Sequence, residues 1–229
     1  MEIKVLASSS KGNCYRISDG VTAILLDCGI PLKQIQIGLN FKVSEIRGVL
    51  VTHCHQDHVK AAKDMAMLGI DIYSSKGTFD FCKLSGHRFK TVEALKTFTI
   101  GTLSIYPFDV QHDAPDPLGF LVSSTVTGEK LLYFTDTYYL KYTFKGLTYI
   151  MGECNYSLDV IENAKIPKAL KNRILESHMS IDHFLEMLEA NDLSKVKAIY
   201  LLHLSDNNSL ESEFKEAVQK ATGVEVYVG

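Results

Sequence analysis

Nothing in this sequence approaches the run of about 18 consecutive apolar residues that a membrane-spanning helix requires, so the chain is read as having no membrane partner. The opening Met1-Glu2-Ile3-Lys4 lacks the apolar core of a secretion signal, and a cytoplasmic protein is expected. Charge of one sign is also missing. The chain has 24 Lys+Arg against 27 Asp+Glu, a net of −3, so nothing global marks a nucleic-acid binder, which is usually basic. The five cysteines (14, 28, 54, 82 and 154) are odd in number and lack C-x-x-C spacing. That excludes a disulfide framework and suits reduced thiols in a reducing compartment. The 15 Gly and 5 Pro follow no period, which excludes collagen-like and low-complexity chains. No linker, repeat or long charge run marks a domain boundary.

What is present is ordinary globular material: 229 residues, 46% hydrophobic and 22% charged, enough apolar surface to offset the entropy of ordering. A chain of this length buries roughly 70% of its unfolded surface, and a single domain over 1–229 is expected. The runs 3–6, 14–17, 22–26 and 48–51 read as strands divided by turn-rich segments. Pro31 suits the start of a helix, and 59–68 has apolar residues at helical spacing. Strands return at 98–100, 103–106, 119–122 and 131–134. Two helices follow Pro167, the second with Ile181, Phe184, Leu185 and Leu188 on one face. The strand 198–202 and a last helix over about 210–221 complete an α/β pattern.

The strongest chemical signal is Thr52-His53-Cys54-His55-Gln56-Asp57-His58. Three imidazoles and a carboxylate directly after a buried strand are costly unless a cation organises them, and these are good ligands for zinc and similar metals. Positions 53 and 55 of an extended segment point the same way, while 57 and 58 enter the turn and helix. One metal can then take the first pair and a second metal the other, with Cys54 pointing away as a structural thiol. His112, Asp136 and His203 each sit at the end of an apolar run, where a rigid scaffold projects side chains into a cleft. Taken singly, His112 and His203 read as core histidines. Beside the H-x-H-x-D-H cluster they read as the missing ligands.

These motifs, in this order, resemble the metallo-β-lactamase superfamily of binuclear hydrolases, and the resemblance covers essentially the whole chain. It implies an αββα four-layer sandwich. It also implies one metal on His53, His55 and His112, a second on Asp57, His58 and His203, and Asp136 bridging the two. Asp27 matches the superfamily's first-motif aspartate, which supports the metal ligands from behind. The implied cofactors are two divalent ions, zinc first, with manganese or iron as alternatives.

Within the superfamily, Glu153 and His178 resemble the Glu and His that assist catalysis in tRNase Z-like phosphodiesterases, the His protonating the leaving oxygen. The plainer reading of His178 is a bystander next to a helix cap at Ser180. The segments 8–13, 112–114, 117–120, 153–155, 171–174 and 203–208 look like the YycJ/WalJ-type branch, whose members are associated with 5′-to-3′ DNA exonuclease activity. Cys54, Tyr156 and Met179 depart from that branch's pattern. The resemblance implies a metal-dependent phosphodiesterase acting on DNA, with Asp57 also orienting the attacking water. Lys168, Lys171, Arg173, Ser205 and Asn207 are candidate substrate contacts, the basic ones alternatively a solvated helix face. A cyclic-nucleotide phosphodiesterase is the alternative, favoured by the acidic balance and modest length, and a homodimer stays open.

Overall fold

The computed structural model describes residues 1–163, 166–204 and 211–229. Ser205 and Asn207 lie outside the described residues. The chain divides into two compact units, the first Met1–Asp109 with Ala114–Glu129, the second Val110–Asp113 with Lys130–Gly229.

In the first unit a six-stranded sheet has its strands in sequence order: β1 (Glu2–Ala7), β2 (Cys14–Ser18), β3 (Ala23–Leu26), β4 (Ile46–Leu50), β5 (Ile72–Ser74) and β6 (Phe89–Thr91). The strands β1 to β3 pair antiparallel and β3 to β6 parallel. A parallel strand needs a crossover and is apolar on both faces. Accordingly all four residues of β3 are buried, and α1 (Leu32–Gly38), α2 (Gln56–Val59), α3 (Ala62–Met67) and α4 (Lys76–Cys82) supply the connections. Ile35 of α1, Met65 of α3 and Phe79 of α4 join Leu25, Val49 and Ile72 in one core. The helix expected over 59–68 is two short helices. The Ala61 N–H donates to the Cys28 carbonyl at 2.9 Å, outside the helical ladder, so the chain breaks there.

The unit also holds the antiparallel strands β7 (Phe98–Ile100), β8 (Leu103–Asp109) and β9 (Leu118–Ser124) of the second sheet. Asp19, in the turn between β2 and β3, ties these strands to the first sheet. Its carboxylate accepts from the Thr22 N–H (2.8 Å), the Thr102 hydroxyl (2.6 Å) and the Ser124 hydroxyl (2.8 Å).

The second unit holds the parallel strands of the second sheet: β10 (Lys130–Phe134), β11 (Tyr149–Glu153), β12 (Ala198–Leu202) and β13 (Glu225–Val228). Crossovers run through α5 (Leu158–Asn163), α6 (Lys168–Ser177) and α7 (Ile181–Glu189) between β11 and β12, and through α8 (Glu211–Thr222) between β12 and β13. Helix α7 is capped by Ser180, whose hydroxyl accepts from the His183 N–H at 3.2 Å. Its inner face is Ile181, Phe184, Met187 and Leu188; Leu185, expected there, is only half-buried. Gly152 must be glycine, because a Cβ would lie 2.4 Å from the Phe134 ring. No helix among the described residues is long and apolar enough to cross a membrane.

Candidate metal centre

Asp27 and the 53–58 loop in the first unit, and Asp136, Glu153 and His203 in the second, stand at the carboxyl ends of neighbouring parallel strands, where α/β sheets form their crevices, while His112 follows the antiparallel β8 and His178 follows α6. In the first unit β3 and β4 run side by side with Leu26 opposite Leu50, so Asp27 lands beside Thr52. The Asp27 N–H donates to the Leu50 carbonyl at 2.8 Å, and its carboxylate accepts from the Thr52 N–H at 2.8 Å. The Thr52 Oγ1 lies 3.1 Å from both Asp27 oxygens and 3.0 Å from His53 Nδ1. His58 Nδ1 is 2.8 Å from Asp27 Oδ2.

One wholly buried carboxylate therefore sets two imidazole tautomers. His58 donates from Nδ1 to Asp27, and His53 donates from Nδ1 to the Thr52 hydroxyl, which itself donates to Asp27. Each ring then carries its lone pair on Nε2, the form a cation takes. His53 Nε2 faces His55 Nδ1 at 3.1 Å. That is close to the separation, roughly 3.3 Å, of two nitrogens on a tetrahedral ion with bonds of about 2.0–2.1 Å. His58 Nε2 lies 3.4 Å from Asp57 Oδ2 and 3.2 Å from the Asn13 amide.

The backbone around this loop is clamped. The Asn13 N–H donates to the Asp57 carbonyl, the Cys28 N–H to the His58 carbonyl and the Gly29 N–H to the Asn13 carbonyl, each at 2.8 Å. A Cβ on Gly29 would sit 1.6 Å from the Asp57 oxygen, so glycine is required there.

In the second unit the register places Phe134 opposite Gly152 and Glu153 opposite Leu202. Asp136, Glu153 and His203 thus leave one sheet edge, and their ligand atoms together with one from His178 lie within 4.8 Å of one another. His203 Nδ1 is 2.9 Å from Asp136 Oδ1 and 3.1 Å from Glu153 Oε1. His112 Nδ1 is 3.3 Å from the Ser177 carbonyl, to which it donates, and its Nε2 is 3.7 Å from Asp136 Oδ2. Glu153, fully buried, accepts the Thr137 N–H at 2.9 Å and binds His178 Nδ1 at 2.5 Å.

Burial alone would raise the Glu153 carboxyl, but the charge and hydrogen bond of His178 hold it below its ordinary value. Burial likewise opposes charge on His178, and the Glu153 carboxylate outweighs it, so the imidazole is raised. For His112 burial wins and the imidazole is lowered. Buried carboxylates and imidazoles in such density are the donor set of a divalent metal.

The structure thus groups His53, His55, Asp57, His58 and Asp27 in the first unit, and His112, Asp136, Glu153, His178 and His203 in the second. Ser180 is indeed a helix cap, and His178 stands before it in hydrogen-bond contact with Glu153, so the cap and the contact coexist. Cys54 is buried, and its carbonyl accepts from the Cys82 thiol at 3.4 Å. Of the basic candidates, Lys168 is exposed, Lys171 bonds the Glu162 carbonyl at 3.1 Å, and Arg173 reaches Asp113. Three residues that the sequence reading quoted only within longer segments make contacts it did not assign: Asn13, Thr52 and Asn155, whose amide donates to the His203 carbonyl at 2.7 Å.

A family described as the beta-lactamase superfamily domain matches residues 22–204. The chain is 27% identical to exodeoxyribonuclease YycJ of Bacillus anthracis, over 92% of this chain and 85% of that protein. It is 28% identical to exodeoxyribonuclease WalJ of Streptococcus pneumoniae, over 90% and 82%. Among solved structures, the metallo-β-lactamase fold protein YhfI of Bacillus subtilis superposes with a TM-score of 0.76 at 15% identity, covering 99% of this chain and 95% of that one. The expected fold class is therefore the one found. The chain belongs to the beta-lactamase superfamily, as a metallo-β-lactamase-fold hydrolase. The fold implies divalent metal ions, and the donor chemistry of both units suits them.

Proposed function

We propose that the protein is a phosphodiesterase that degrades DNA from its 5′ end, using two divalent ions, zinc first among them. By the superfamily's pattern, His53, His55 and His112 would hold one ion and Asp57, His58 and His203 the other, with Asp136 a candidate ligand to both. When bound, such ions lower the pKa of a water to give hydroxide and neutralise charge building on the phosphate. The observation that carries the reading is the Glu153–His178 pair beside Asp136 and His203. A buried carboxylate that holds an imidazole in one orientation is the arrangement of a general acid. It suits a phosphodiesterase, whose departing alkoxide must receive a proton. Glu153 fixes Nδ1 of His178, so the proton delivered is the one on Nε2. Asp57 orients the attacking water. Asp27 and Thr52 keep His58 and His53 in the tautomers that accept a cation. DNA is preferred as substrate because of the similarity to the two exodeoxyribonucleases.

The net charge of −3 favours a second reading, a phosphodiesterase of cyclic nucleotides, which needs no basic surface. One assay separates them: protein loaded with zinc or manganese is offered end-labelled single- and double-stranded DNA, RNA and a panel of cyclic nucleotides, with Asp136→Asn as control. Mononucleotides released from DNA by the wild type and not by the variant are expected. Turnover of cyclic nucleotides alone would overturn the DNA assignment.

A further inference from the structure

Beyond the reacting phosphate, a substrate needs something to hold it, and two features of the second unit flank the Asp136–Glu153 cluster. The first is Arg173 on α6. Its Nε lies 3.2 Å from Asp113 Oδ2, while Asp113 Oδ1 lies 3.2 Å from His112 Nε2. The guanidinium is 57% exposed and Asp113 44%, so their mutual attraction is weak and easily exchanged for another oxyanion. A planar guanidinium matches two phosphate oxygens well.

The second feature is Tyr138 and Tyr139, 39% and 50% exposed, on the loop that directly follows Asp136. Their main chain is fixed. The Thr137 N–H donates to Glu153 at 2.9 Å, and the Thr137 hydroxyl donates to the Tyr139 carbonyl at 2.8 Å. His183 Nδ1 lies 3.1 Å from the Tyr138 carbonyl. The main chain that carries these two partly exposed tyrosines is thus tied to the same buried carboxylate that orients His178.

We propose that Tyr138, Tyr139 and Arg173 form a holding surface for unpaired nucleotides of a strand: a base stacks on the tyrosines, and Arg173 leaves Asp113 to take a phosphate that is not being cleaved. The inference rests on the phosphodiesterase reading and narrows its substrate. A stacking ring takes a base that is out of a duplex. A strand carries a phosphate beside the one being cleaved and a cyclic mononucleotide does not, which sets this surface against the cyclic mononucleotide.

The test is equilibrium binding of the metal-loaded protein to two short phosphorothioate strands that resist cleavage, one of thymidines and one wholly abasic, across a series of salt concentrations. The wild type is expected to prefer the thymidine strand roughly tenfold, the size of one base–aromatic stack. Tyr138→Ala/Tyr139→Ala brings the two affinities within about twofold, and Phe at both positions restores the preference. Arg173→Ala weakens both strands alike and lowers the salt slope by about one; Arg173→Lys recovers part of it. A double alanine variant that keeps the tenfold preference overturns the proposal. So does one that changes oligomeric state while keeping it, since the tyrosines would then serve a protein contact. If the binding contrasts appear but no phosphodiester is ever cleaved, the surface stands and the phosphodiesterase reading falls.

Discussion

Asp27, Asp136 and His203 all have left-handed backbones, with φ of 54°, 50° and 53°. For residues other than glycine this costs of order 1–3 kcal/mol each and persists only where surroundings impose it. Each lies at or just beyond the end of a parallel strand. Asp27 is held by the Leu50 carbonyl and Thr52, and His203 by the Asn155 amide. Asp27→Asn keeps the shape and loses the charge that sets two imidazole tautomers. Zinc affinity is expected to fall about 10–100-fold, read by competition against a chelator, with the fold intact. His178→Ala is expected to do the opposite, leaving metal content unchanged and lowering kcat on DNA by about 10²–10⁴-fold. The candidate ligands stand out in the sequence because a cation-binding set restricts residue type. Asn13 and Asn155 do not, since each owes its role to a partner 45 or 48 positions away.

The loops at the strand ends are as constrained as the residues they carry. Gly29→Ala forces a Cβ into the Asp57 carbonyl and is expected to cost about 2–3 kcal/mol in urea denaturation. The Asp19 knot gives a pH signature. Burial alone would raise this carboxyl, but hydrogen bonds from Thr102, Thr22, Ser124 and Val21 bring it down to about 2. A carboxyl lowered in the folded state adds stability above its unfolded pKa of about 4 and loses it as pH falls towards 2. Asp19→Ala should therefore destabilise the protein by about 2 kcal/mol at pH 7 and by progressively less below pH 4, measured by denaturation across pH. Strands with continuous apolar runs, such as β4, β10 and β12, were legible. The short β5 and β6 were not, and they exist by pairing with β4 and with each other. Helix α4 announces itself only through its cap, the Ser75 hydroxyl accepting from the Thr78 N–H.

At the scale of the whole chain, composition alone says little about substrate: a net charge of −3 hides the local basic group on α6. The superfamily is legible because its five motifs, at Asp27, 53–58, His112, Asp136 and His203, stand in separate segments in a fixed order. Such a set is unstable without its cations, so stripping the metal is expected to lower the melting temperature by several degrees, with zinc restoring it. The most direct test of the account is a zinc titration of stripped protein, followed by release of nucleotides from end-labelled DNA. Activity is predicted to be absent without metal and to level off once two ions are bound per chain. Cleavage by fully stripped protein, or none with two ions bound, would contradict it.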